Sequence, residues 1–579
     1  MPQKTSKAQD EAIADMTPGH VRRVLGFLNE AASPLDLIET PLPTPPEEHL
    51  GDDDVEDLRL DPPRPLLDPD SAKALFRLRD EKYPLGFTHL DQLREIRNLD
   101  ILHLLHWLGP WLYGEWHTLP YQIVNANNTP VGVVHAALLH ASRVLFIADD
   151  GTTPIWDPAD EANPQFTFPA SNPSYSLICS GNTFLSDGQL LAVGGGGFGR
   201  IGTAVWGWKF DPAATTWTRT TGPMAEDKWY PTAVTTGDNR VLVVCGNSAG
   251  EMEMYDEATD SFSGVTGDTL GFPNLYPGLH LLPNNILFYS RTGWGQAGGA
   301  PPISSDNSAY FTFSAPNAGT WSSIAPSALN RCKGMSVMIL QNAFPYVRIL
   351  VVGGSDATGA GINGAEIIDV SSLSATSAWA ATTPVPDTIT RRQCNAALLP
   401  DNTVFVAGGA DAANSPCMLF DPSSNGWRAM AALPSIRKYH SVMLLLPSGK
   451  VMMAGWANDG SNASIDIYSP PYLFRGGRPT ISNAPALVHH GQAFTIESPE
   501  AATVVKVVLV RPMAVTHQTD TNQRVIEMPY IHDHAHPTHL GLTAPNGVHP
   551  HAVCPQGYYM LFVINIDGVP SEGRWIYLH

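Results

Sequence analysis

Basic residues are scarce. Among 579 residues there are 34 Lys and Arg against 55 Asp and Glu, a net charge of −21. Nucleic-acid grooves and anionic membrane surfaces both need clustered Lys and Arg, so neither partner is expected. Long hydrophobic runs are missing as well. No uninterrupted apolar stretch reaches the ~18 residues of a membrane span. The densest segment, Leu99 to Trp116, is broken by Asp100, His103, His106, Gly109 and Pro110. The opening residues, Met1 to Lys7, lack the apolar run of a secretory signal, which points to the cytoplasm. Six cysteines are too few for a disulfide-stapled scaffold, and any pairing among them stays open.

What is present is apolar material for a large core: hydrophobic residues make up 43 % of the chain. Charge is unevenly placed. Residues 1–70 hold 16 acids and six bases, and Pro45 to Asp57 alone has seven acids. Residues 1–80 therefore read as an acidic, Pro-rich, partly disordered segment. Residues 81–119 read as helical. Thr88 is a cap candidate, with Leu90, Leu93, Ile101, Leu105 and Leu108 at near-helical spacing and Gly109-Pro110 as the stop. His103 and His106 lie one turn apart there, where packing is a simpler role than metal binding.

From Arg143 the pattern becomes one of short β-branched runs. Seven recur: Val144 to Ile147, Leu190 to Val193, Val241 to Val244, Ile286 to Tyr289, Ile349 to Val352, Val404 to Ala407 and Val451 to Ala454. Their spacing is mostly 44 to 63 residues, the block from 143 to 470 averages about 47 per unit, and several end in a glycine pair, such as Gly194-Gly195, Gly353-Gly354 and Gly408-Gly409. Kelch-type propeller blades have a period near 50 and four strands each. Residues 120–470 are thus expected to form a seven-bladed kelch-type β-propeller. Residues 471–579 alternate in the manner of strands, as in Val504 to Val510 and Tyr558 to Val563, and are expected to form an immunoglobulin-like β-sandwich. The fold class is mainly β.

Two motifs have simple structural readings. Gly194 to Gly199 matches G-x-G-x-x-G, but a dinucleotide site needs a helix next, and Ile201 to Phe210 reads as a strand. His532, His534, His536 and His539, followed by His549 and His551, make a histidine-rich tract in a Pro-containing surface loop without preorganised geometry.

Four other places have a joint meaning. They are Cys179-Ser180-Gly181, Tyr230-Pro231-Thr232, Arg437-Lys438-Tyr439-His440-Ser441 with Leu445-Leu446-Pro447-Ser448-Gly449, and Thr516-His517 with Asp520 and Gln523-Arg524. With Gly557 to Val563 and Gly568-Val569-Pro570-Ser571, they make the chain from about residue 120 onward resemble the galactose oxidase and glyoxal oxidase group of copper radical oxidases.

The resemblance implies a copper ion held by Tyr230, Tyr439, His440 and His517. It implies Tyr230 as radical site joined by a thioether to Cys179, Tyr439 as axial phenol, and Arg331 as a substrate contact. Imidazole and tetragonal N and O ligation suit Cu(II). The implied reaction takes a primary alcohol or hydrated aldehyde and O2 to the oxidised carbonyl product and hydrogen peroxide. Such enzymes are secreted or at the cell surface, against the cytoplasmic reading of the N-terminus. Galactose oxidase stacks a tryptophan on its radical tyrosine. The matching stretch, Cys245 to Gly250, has none; Ser248 is nearest, and Trp229, Trp294 and Trp456 are alternatives. The carbohydrate-binding module that precedes the propeller in galactose oxidase is not evident in residues 1–119, so galactose specificity is not implied. The competing reading is a kelch propeller that only binds another protein or plays a structural part.

Overall fold

The computed structural model describes residues 109–579 except 165, 197–203, 247–251, 268–274, 291–306, 327–330, 342–345, 357, 456–462 and 546–549. The acidic segment, His103 and His106 with most of the expected helical segment, and Ser248, Trp294 and Trp456 lie outside the described residues; the end of the stretch 81–119 expected to be helical is instead the start of the strand Glu115–Gln122. Pro110–His579 form one compact unit.

That unit is nearly all β, and its sheets are mostly antiparallel, consistent with a propeller followed by a β-sandwich. Each of the seven β-branched runs forms the second strand of its own sheet. One such sheet, for example, runs Ser180–Phe184, Leu190–Gly194, Gly207–Asp211 and Thr216–Arg219, in that order. Second strands such as Val404–Ala407 are wholly buried and have no polar alternation, as expected for strands covered on both faces. The first strands of neighbouring sheets lie side by side: Val133–Leu138 against Ser441–Leu445, Ser180–Phe184 against Thr232–Thr235, and Met335–Gln341 against Asn395–Leu398. Strands so placed converge on a common interior.

Two long-range pairings close the unit. Glu115–Gln122 pairs with Ser464–Ser469, so a strand from the start of the unit completes the last meander. Ala514–Thr516, from beyond residue 500, pairs with Val133–Leu138, with His135 opposite Thr516. The turn after it fills the interior. Gln518 Nε2 donates to Lys438 O (3.3 Å), Thr521 Oγ1 to Ala233 O (2.8 Å) and Gln523 Nε2 to Ala396 O (3.3 Å). Asn522 Oδ1 accepts from Thr183 Oγ1 at 3.0 Å. One turn thus bonds four sheets. The remaining C-terminal strands form two sheets, built around Val504–Arg511 and Gly557–Asn565, and around Ala493–Glu497 and His539–Thr543.

The glycines explain how closely the sheets approach. Gly194, Gly353 and Gly408 end second strands with φ of 69, 60 and 77°. A Cβ there would strike the carbonyl oxygens of Lys228, Arg391 and Arg437, which precede the first strand of the next sheet. Those cations are themselves buried in pairs: Lys228 with Glu253 (3.4 Å), Arg331 with Glu366 (2.8 Å), Arg391 with Asp387, and Arg437 with Asp466 (2.7 Å). Among the described residues, no helix is long and apolar enough to cross a membrane.

Candidate metal centre

Just before the first strand of six successive sheets the chain takes up the left-handed conformation at a non-glycine residue. The six are Cys179, Tyr230, Tyr276, Lys333, Gln393 and His440, with φ between 43 and 67°. Side chains rarely tolerate this, and a conformation that costs about 1–2 kcal/mol persists only where the surroundings impose it. Here they do. Tyr230 N–H donates to Cys179 O (2.9 Å), Tyr276 N–H to Tyr230 O (2.7 Å) and Gln393 N–H to Lys333 O (2.9 Å). The repeat therefore presents one side chain per sheet at equivalent places.

Four of the cluster's side chains come from this position or its neighbour. His517 comes from the end of the inserted Ala514–Thr516 strand. The ring centroids of His440 and His517 lie 4.5 Å apart and those of Tyr230 and His517 4.6 Å. Tyr439 stacks on His440 at 3.6 Å, and the Tyr230 and Tyr439 hydroxyls share a short hydrogen bond. Donor atoms of Cys179, His440 and His517 fall within 4.8 Å of one another, and theirs is the metal-sized His, Cys, Asp or Glu cluster found among the described residues. The Cys179 thiol is within hydrogen-bonding reach of the Tyr230 hydroxyl and the Trp229 indole.

Burial sets the protonation states. It pushes the Cys179 thiol up to about 12 and Tyr439 up to about 12. Tyr230 is raised far above the phenol range by burial and then by neighbouring Cys179 and Tyr439. His440 falls to about 3, mainly by burial, and His517 is also held well below the usual imidazole range, by burial and then by His440. The imidazoles are therefore neutral and the phenols and thiol protonated when nothing else is bound. A divalent cation reverses this logic, since it stabilises phenolates and takes neutral imidazole lone pairs. The tautomer is right for it. Thr516 Oγ1 spends its one proton on Val134 O (3.2 Å), so at 2.8 Å it accepts from His517 Nδ1–H. His517 Nε2 is then the nitrogen that could meet a metal ion. Two imidazole nitrogens and two phenol oxygens are a donor set that fits Cu(II).

The structure also shows what sequence reasoning left unranked, Trp229, and what it missed. Trp229 stacks on Tyr230 at 4.2 Å and 15°. On Tyr230 also lies Tyr276, at 4.7 Å and 24°; Tyr276 stacks on His517 as well, and its hydroxyl donates to Ser180 O (2.8 Å). Tyr276 is fully buried, whereas Trp229 and Tyr439 are half-buried and mark the side open to solvent. His135 is a further missed residue. Its Nε2 accepts the Cys179 N–H (3.2 Å) and its Nδ1–H faces Asn182 Oδ1 (3.1 Å). Only the repeat register could have flagged Tyr276, three residues before its strand; nothing local flags His135.

Arg331 is placed differently from its expected role. It is 2 % exposed, and its guanidinium donates to Gly353 O (2.7 Å) and Glu366 Oε2 (2.8 Å). It fills the same position as Lys228 and Arg391 in the buried pairs. After the glycine motif, the described chain forms the strand Gly207–Asp211. All six cysteines are buried, and none is in a disulfide. His536 is exposed and bonded to Asp533 (2.8 Å), in the turn between the paired strands Tyr530–His532 and His539–Thr543.

Comparison with known proteins agrees with the resemblance seen in the sequence. Residues 478–578 match the family described as "Galactose oxidase-like, Early set domain". The chain is 29 % identical to "Aldehyde oxidase GLOX" of Vitis pseudoreticulata over 459 residues, 69 % of this chain and 81 % of that protein. It is 26 % identical to a galactose oxidase of Gibberella zeae over 73 % of this chain and 64 % of that protein. Its fold is similar to that of a fungal alcohol oxidase of the AA5 family in complex with copper, with a TM-score of 0.66 over 80 % of this chain and 99 % of that one, at 19 % identity.

Proposed function

We propose that this protein is a copper radical oxidase that converts a primary alcohol or hydrated aldehyde to the oxidised carbonyl product, with O2 reduced to hydrogen peroxide. The seven meanders are then the blades of a seven-bladed kelch-type propeller. The observation that carries the reading is the convergence of Tyr230, Tyr439, His440 and His517 with Cys179. A propeller kept only for binding has no need to bring two imidazoles from residues 440 and 517 to 4.5 Å.

Tyr230, Tyr439, His440 and His517 would hold the ion. When bound, copper supplies one-electron redox capacity and a site for the substrate oxygen. The chain supplies the rest. Alcohol oxidation releases two electrons and two protons, and one metal takes one electron. Tyr230, linked to Cys179, supplies the second redox centre. Tyr439 is half-buried, shares a hydrogen bond with Tyr230 and faces the open side, so its phenolate is the base placed to take the alcohol proton. The stacked Trp229 and Tyr276 rings cover Tyr230 and keep water from its ring, which protects an oxidised phenol from side reactions.

Peptide mass analysis of protein purified without copper, repeated after aerobic addition of Cu(II), tests this. A copper-dependent peptide joining Cys179 to Tyr230, lighter by about two hydrogens than the separate peptides, is expected, with peroxide formed on an alcohol and aldehyde panel. Copper binding with the peptides still separate would overturn the radical assignment. In Cys179→Gly protein, peroxide formation should collapse while copper stays bound.

A further inference from the structure

Four consecutive sheets are tied by one hydrogen-bonded relay. Tyr276 N–H donates to Tyr230 O, Tyr230 N–H to Cys179 O, and Cys179 N–H to His135 Nε2 at 3.2 Å. The first two links are backbone to backbone, as is the Gln393 to Lys333 link elsewhere in the unit. The last link breaks the pattern, because an imidazole stands where the repeat uses a carbonyl. His135 lies on Val133–Leu138, the strand that pairs with the His517 strand, with His135 opposite Thr516. It is 2 % exposed, and its Nδ1–H is anchored by Asn182 Oδ1 (3.1 Å), three residues beyond Cys179. That bond fixes the tautomer and leaves Nε2 as acceptor. The segment carrying Cys179 therefore grips one imidazole at two points.

We propose that His135 is a positioning residue: by holding the Cys179 amide it fixes the left-handed backbone that aims the thiol at the Tyr230 ring, and so governs formation of the thioether. The proposal rests on the function given above. The link replaces Cys179 S–H and a ring C–H of Tyr230 next to the phenol oxygen with one S–C bond. Two protons and two electrons leave and reduce dioxygen to hydrogen peroxide. This is a single event that the protein must arrange once, so the share of molecules with the thiol in place sets its rate. Cys179 has φ of 67°, which its side chain disfavours. Without an acceptor for its buried N–H, the segment relaxes and the Cα–Cβ direction turns with it.

The test uses the full chain purified copper-free as wild type, His135→Ala and His135→Gln. Cu(II) is added in air and the linked peptide is followed by mass over time. Amide exchange at Cys179 before copper addition and Cu(II) affinity are measured alongside. His135→Ala should link about tenfold more slowly, the effect of losing one buried hydrogen bond of ~1.4 kcal/mol. Its Cys179 amide should lose protection, with copper affinity unchanged. Gln, which keeps an acceptor, should recover part of the rate. Should His135→Ala fail to fold, Asn182→Ala replaces it, since it frees the ring without removing it, and the same slowing in smaller measure is expected. A folded variant that links at the wild-type rate overturns the role of His135. A purely packing role would lower thermal stability and leave the linking rate alone, which also overturns it. If the wild type itself never links, the oxidase reading fails, and this proposal with it.

Discussion

His532, His534, His536 and His539 crowd into eight residues, while His440 and His517 are 77 residues apart. By local density the first group is the better metal site, and by structure it is the worse. The His536 side chain is 64 % exposed and bonded to Asp533, and His539 reaches toward Glu497 at 3.7 Å. Each ring of the tract is free to hydrate, so gathering them around an ion costs side-chain entropy at the moment of binding. His440 and His517 have been placed during folding. One follows the end of a buried turn held by Arg437, and the other rides a strand paired with Val133–Leu138. The difference teaches that preorganisation, not ligand density, makes a metal centre.

Four experiments press on that comparison. The largest effect is expected at its frame. Arg437→Ala leaves Asp466 charged and unpaired in a fully buried place, and Arg437 also donates to Gly455 O (2.6 Å) beside the His440 turn. A loss of about 3–5 kcal/mol in urea unfolding is expected; under 1 kcal/mol would mean the frame does not hold the site. Next comes the ligand itself. His517→Ala should weaken Cu(II) binding more than about 100-fold by calorimetric titration, beyond what loss of an indirect partner costs. A smaller change would return the surface tract to contention.

The third effect lies in the turn that carries His517. Burial raises the Asp520 carboxyl from 3.8 to about 6, although Asn522 N–H and Gln523 N–H donate to its Oδ1. The folded state therefore holds this proton more tightly than the unfolded chain. The sign follows: stability is highest below the unfolded value, falls as pH rises between about 4 and 6, and levels above. Asp520→Asn should flatten that stretch of the stability curve and gain about 2–3 kcal/mol at pH 7. An unchanged curve would show that the turn is wetter than its burial implies. The smallest effect is expected at His536→Ala, which should leave copper affinity, peroxide formation and thermal unfolding unchanged. Any loss of copper there would break the comparison.

Much of the β frame was legible, and for a physical reason. Buried strands such as Val451–Gly455 need uninterrupted apolar runs, and the repeat writes seven of them at even spacing. Glycines at close approaches are equally visible. The cluster was legible only in part. Cys179, Tyr230, Tyr439-His440 and His517 stood out through local sequence around them. Trp229 was one of three tryptophans that sequence could not rank, and the stack on Tyr230 at 4.2 Å ranks it first among the described residues. Tyr276 had only the repeat register to flag it and His135 nothing, since a buried tyrosine and a strand histidine look like ordinary core. Arg331 was named as a substrate contact only through the resemblance, and the pairing with Glu366, 35 residues on, was not visible in the sequence.

By itself the sequence determined the class of this molecule, its antiparallel repeats and the residue types able to hold copper, because hydrophobic period and local motifs act over a few residues. The tertiary structure decided which side chains meet. Left-handed residues in successive sheets are brought into register by backbone bonds between sheets, and His517 arrives on a strand paired with one about 380 residues earlier. Convergence of that kind depends on how sheets stack around a common interior, and no local stretch of sequence encodes it.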